Sequence, residues 1–170
     1  MKPEEKTFYT IVFFDSESQL AKVHLFSSHA KAEDARTKII NGCKKIHSHN
    51  DDGNRGYFKL DKASQHYWKF KYEEGYGWLI FRKDTLMLAG DDNFVYVLSR
   101  ANFNPHSYEI NLSVNFFTSS KRAKQACEDI TTGLAQSEDH EIKIRSDNHT
   151  DVYSNDEFQG WVDVQKQPIV

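Results

Sequence analysis

The chain of 170 residues is 38% hydrophobic and 28% charged with a net charge of -3, which excludes the weakly hydrophobic, highly charged composition of a disordered segment. No apolar run approaches the ~18 residues of a membrane helix, and Met1 to Lys6 is polar rather than basic and then apolar, so a cytoplasmic chain with no membrane partner is expected. A charge so near neutral also argues against bulk attraction to nucleic acid, but the halves differ: residues 1–83 carry 15 Lys and Arg against 11 Asp and Glu, and residues 84–170 carry 7 against 14.

In chain order, the first half reads as strands over 7–14 (TFYTIVFF) and 21–26, a helix opening after Ser28, and strands over 56–60, 66–72 and 78–82. The helix is amphipathic, because Ala32, Ala35, Ile39, Cys43 and Ile46 recur every three to four residues and form one packing face. Residues 85–88 (TLML) and 90–93 are expected to make the junction as an extra strand and a turn. The second half reads as strands over 94–99 and 108–117, a helix opening after Ser119 with Ala123, Ala126, Ile130 and Leu134 on its packing face, and strands over 141–145, 151–154 and 161–164. Ser28 and Ser119 stand where a side-chain oxygen would cap a first-turn N–H, a bond worth about 1 kcal/mol.

The halves also match residue for residue. Val23 to Lys44 laid without gaps over Val114 to Ala135 gives seven identities in 22 positions, among them Phe26/Phe117, Ala32/Ala123, Ala35/Ala126, Ile39/Ile130 and Gly42/Gly133. A second match joins Glu74 to Lys83 (EGYGWLIFRK) with Glu157 to Lys166 (EFQGWVDVQK). A period this long marks a domain duplication rather than a solenoid. The expected fold is α+β: a tandem duplication of a β-β-α-β-β-β unit, mainly antiparallel, with one helix packed per repeat, the repeats spanning 1–83 and 84–170 and packing as one compact unit. This order is similar to that of several ligand-sensing and scaffolding folds, the longin and profilin-like groups among them, a likeness that bears on fold and not on activity. Trp78 and Trp161, each after a glycine, are expected to anchor sheet to helix or one half to the other.

Few motifs carry chemistry. His47-Ser-His49-Asn-Asp51 has a His-x-His-x-Asp spacing similar to that of metallo-β-lactamase-type hydrolases. The string follows a helix, however, and Asp52 stands where that motif has a third histidine, so a polar loop is the plainer expectation and His47, His49 and Asp51 form the alternative metal set. No HExxH, GxSxG, phosphate-binding glycine loop or paired His-x-Ser/Thr motif is present. Cys43 and Cys127 lack a CxxC partner and are expected as reduced thiols within the helices.

Along 67–72 (YWKFKY), Trp68, Phe70 and Tyr72 should face the core while Tyr67, Lys69 and Lys71 share the other face, where they could stack bases and neutralise phosphates. In the acidic half, Asp147, Asp151, Asp156, Glu157 and Asp163 form a candidate surface for a basic partner. Together these features point to a non-enzymatic macromolecule-binding protein, an interaction module or inhibitor, that needs no cofactor. Its expected partner is a protein, with single-stranded nucleic acid and the metal-dependent hydrolase as the competing alternatives and homo-oligomerisation left open.

Overall fold

The computed structural model describes residues 2–16, 20–47, 57–64, 66–72, 75–89, 92–104, 109–137, 140–146 and 148–170. Ten strands and two helices follow one another as β1 (Pro3–Asp15), β2 (Leu20–Phe26), α1 (His29–His47), β3 (Phe58–Ser64), β4 (Tyr67–Tyr72), β5 (Gly75–Ala89), β6 (Phe94–Asn104), β7 (Glu109–Phe117), α2 (Ser120–Ala135), β8 (Glu141–Ser146), β9 (His149–Ser154) and β10 (Glu157–Pro168). The fold is α+β, with two antiparallel five-stranded sheets ordered β2-β1-β5-β4-β3 and β7-β6-β10-β9-β8. The chain divides into two compact units, Met1–Met87 with Ile169–Val170, and Leu88–Pro168. Among the described residues no helix is long and apolar enough to cross a membrane.

In the first unit α1 lies on one sheet face through Ala32, which is fully buried among Ile11, Trp68, Leu79 and Phe81, with Ala35, Ile39 and Ile40 packed around them. A small residue at that contact lets the helix axis approach the strands, and the larger isoleucines then fill the space further along. Arg36 extends the packing by laying its guanidinium 4.6 Å from the centre of the Trp68 ring. In the second unit Ala123 and Cys127 of α2 pack on Leu98, Val162 and Val164, with Ala126, Ile130 and Leu134 beside them. The inner strands bury side chains on the opposite face as well: Phe8, Thr10, Val12, Phe14 and Trp78 in one unit, and Val95, Val97, Ser99, Ala101 and Trp161 in the other, are buried. The last two residues of the chain extend the first sheet, where Val170 N–H donates to Leu25 O at 3.0 Å and Ser27 N–H to Val170 O at 2.6 Å.

Four expectations need correction. Residues 85–88 form no separate strand but continue β5, because Asp84 is bonded rather than turned out: Thr10 Oγ1 donates to its Oδ2 at 2.5 Å and Arg82 Nε at 2.9 Å. Ser28 caps α1, accepting the Lys31 N–H at 3.3 Å, whereas Ser119 makes no side-chain cap bond and α2 starts on backbone geometry alone. Ile46, assigned to the packing face of α1, is 69% exposed in its last turn. The tryptophans do not join sheet to helix, since Trp78 stacks on Phe14 at 5.2 Å on the face away from α1 and Trp161 lies near Phe158 at 6.5 Å.

The glycines before the tryptophans are sites of close approach. A Cβ on Gly77 would meet the Phe70 ring and come within 2.5 Å of Phe14 O; one on Gly160 would collide with Ala101 O, and Gly160 also adopts a φ of 149°, which disfavours any side chain. Gly77→Ala and Gly160→Ala should each lose about 1–3 kcal/mol through overpacking, Gly160→Ala the more, as read from urea unfolding midpoints. Wild-type midpoints in both variants would show that the backbone yields at these contacts.

Candidate functional site

The first unit carries a groove of about 480 Å³ between the C-terminal half of α1 and the β1–β2 pair. Its position follows from strand alternation: Phe13 and Asp15 of β1 point to the helix side, and Lys22 of β2, paired with Phe13, points the same way together with His24. From α1 come Ile39, Gly42, Cys43, Ile46 and His47. Gly42 leaves open space, since a Cβ there would meet nothing within 4 Å.

One end of the groove is hydrogen-bonded. The His47 ring stacks on Tyr72 at 3.6 Å with planes 9° apart, and its Nε2 lies 3.8 Å from Asp15 Oδ2. Tyr72 O–H donates to Asp15 Oδ1 at 2.6 Å, and Ser16 Oγ accepts the Tyr76 N–H at 3.0 Å while lying 3.3 Å from the Tyr72 oxygen. These contacts join β1, the β4–β5 connection and the end of α1, so the groove end is a fixed wall. Burial, followed by the nearby Asp15 charge, pushes the Cys43 thiol up to about 11. Partial desolvation, and then Lys22, holds the His24 imidazole below its ordinary value. A protonated thiol is a poor nucleophile. The groove therefore offers an apolar floor edged by Lys22 on one side and Asp15 on the other.

The sequence-derived candidates are dispersed. His47 belongs to the groove wall, whereas His49 and Asp51 lie outside the described residues, among which no three metal-binding side chains converge. Tyr67, Lys69 and Lys71 do share the face away from α1, with Tyr67 and Lys69 half-buried and Lys71 exposed, and their strand lies inside the sheet between β3 and β5. Asp163 is buried: its carboxylate lies 3.2 Å from His149 Nδ1 and accepts from Gln165 Nε2 at 2.5 Å. Asp151 accepts from Arg145 Nε at 2.7 Å and lies 3.0 Å from His149 Nε2. Asp156 and Glu157 are exposed at the β9–β10 turn, where Asn155 and Asp156 take positive φ of 50° and 63° as a tight hairpin requires. Asp147 lies outside the described residues.

Asp15, Lys22, His24, Gly42 and Tyr72 did not stand out in the sequence as parts of a site. The one local signal was Lys22 and His24 alternating with buried Ala21, Val23 and Leu25, which places polar groups on the helix side of β2, where the helix leaves the sheet uncovered. No protein-family model, curated protein or solved structure matches the chain.

With the thiol at about 11 against an ordinary 9.0, the thiolate fraction of Cys43 near neutral pH is cut roughly a hundredfold. Iodoacetamide should modify Cys43 far more slowly in the native chain than in urea, as followed by peptide mass mapping. Because the native thiol holds its proton to higher pH than the unfolded one, this group should lower stability progressively as pH rises from about 9 to about 11. Labelling at equal rates in the native and unfolded chain would contradict this.

Proposed function

We propose that the chain is a non-enzymatic protein-binding module, built by tandem duplication of a β-β-α-β-β-β unit, whose first unit takes an acidic, apolar-tipped segment of a partner protein into the groove beside α1. The duplication is supported by the seven identities between the halves and by their common order of elements. The binding role rests on the groove lining: an apolar floor of Phe13, Ile39 and Cys43 beside Lys22, with Lys44 and Lys45 exposed in the adjoining last turn of α1. A bulky apolar side chain contributes roughly 1.5–3 kcal/mol when buried in such a floor, and the basic excess of residues 1–83 favours acidic flanks. Nucleophilic chemistry is a weaker fit, since Cys43 holds its proton and the Tyr72 hydroxyl is already given to Asp15. A basic partner on the second unit would have to rely on Asp156 and Glu157, because Asp151 and Asp163 are held by Arg145, His149 and Gln165.

Gly42→Leu tests the groove without attacking the fold. The leucine should raise helix stability by roughly 0.5–1 kcal/mol relative to glycine while filling the groove. A photo-crosslinking residue at position 46 should trap the partner from the native host. Affinity of the purified partner should then weaken with salt and fall roughly tenfold or more in both Gly42→Leu and Lys22→Glu. Unchanged affinity in Gly42→Leu, with loss instead in Asp156→Lys combined with Glu157→Lys, would return the contact to the acidic unit and end the groove reading.

A further inference from the structure

The second unit has a partly open pocket of about 100 Å³ below the end of α2, and its lining differs in kind from the groove of the first. Its apolar floor is Leu134, Val152 and Val162, and its polar wall is Arg100, Asn102, His140 and Gln159. An open groove of about 280 Å³ shares Arg100 and Asn102 and adds Asn111 and Ser113 across the β6–β7 pair. The smaller pocket has room for several waters or for one small organic group.

Three observations converge on it. The first is a β-bulge in β10: Phe158 pairs with Tyr153 and Gly160 with Val152, leaving Gln159 unpaired as the extra residue, and Gln159 lines the cavity. The matching β4–β5 pairing runs from Tyr67↔Ile80 to Tyr72↔Gly75 without interruption. A bulge re-aims a side chain at a cost in sheet pairing, and here it adds a carboxamide to a pocket. The second is Arg100, for which no carboxylate partner occurs among the described residues, although a guanidinium presents a planar fork of donors suited to a carboxylate. The third is His140 Nδ1, which is buried with no hydrogen-bond partner among the described residues, a state that calls for a partner atom.

From these we infer that the second unit binds a small organic carboxylate, its anionic group held by Arg100, Asn102 and Gln159 and its apolar body resting on Val152 and Leu134. The apolar floor selects a carboxylate with a hydrocarbon body over inorganic phosphate, whose charge would have to be desolvated against Leu134 and Val152. This site is independent of the first-unit groove and stands whether or not that groove takes a protein.

Benzoate is the probe, titrated into the full ¹⁵N-labelled chain and followed by amide NMR shifts. Expected are saturable shifts at Arg100, Asn102, Val152 and Gln159, with Kd raised at least about tenfold in Arg100→Met and severalfold in Gln159→Ala. Should Arg100→Met not fold, Gln159→Ala carries the test, since its side chain belongs to no strand pairing. The absence of saturable shifts, an unaltered Kd in a folded variant, or tighter binding of inorganic phosphate at the same residues would each overturn the proposal.

Discussion

Each unit is organised by one contact, an alanine of the helix pressed onto the middle of its sheet. Ala32 and Ala123 are both fully buried, and the side chains they meet, Ile11 and Leu79 in one unit and Leu98 and Val162 in the other, come from the two central strands. A residue larger than alanine there would lift the helix and open the sheet-facing core along its length, since close-packed interiors do not absorb added methylenes freely. This contact is made near the helix N-terminus, so departures from tight packing fall at the other end. There the first unit has its groove and the second its cavity.

The inner strands also bury side chains on the face away from the helix, which is less usual for an antiparallel sheet. The continuous apolar runs TIVFF in β1 and FVYVL in β6 match that burial, since a strand wet on one side would alternate. Polar groups on this face must find partners within it. Thr10 gives its hydroxyl to Asp84, and the His149 ring stands between Asp151 and Asp163, one nitrogen against each carboxylate. The acids that looked like a surface in the sequence are therefore largely a network across β8, β9 and β10, which runs on through Arg145 and Gln165.

What was legible in the sequence were the features with short-range causes. Helix periodicity, the Ser28 cap and the inward set Trp68, Phe70 and Tyr72 depend on residues within a turn or a strand of one another. Where the cause is distant, legibility failed. The continuation of β5 through 85–88 is tied to an Asp84 bond to a hydroxyl 74 positions away, and the groove wall to an Asp15–Tyr72 bond spanning 57. Ile46 kept the helical period but lost its burial, because a periodic pattern does not reveal where the sheet beneath it ends. Gln159 was hidden for a related reason: a bulge is a property of two strands, and only the register of β9 against β10 exposes it.

Strand register also allows the two pockets to be compared position by position. Phe13 pairs with Lys22 and Arg100 with Ser113, while Lys22 and Ser113 immediately precede the first residues, Val23 and Val114, of the ungapped match of the halves. By that equivalence Phe13 corresponds to Arg100, Asp15 to Asn102, and Cys43 to Leu134. The first unit thus places an aromatic floor where the second places a guanidinium, and a carboxylate where the second places an amide. An acid at Asn102 would pair with Arg100 and cancel the one charge able to recruit an anion, whereas in the first unit Asp15 is used to fix Tyr72 and His47 as a wall. Two scaffold positions therefore distinguish the space at the helix end of one unit from that of the other, and the change at Asp15/Asn102 makes sense only together with the change at Phe13/Arg100.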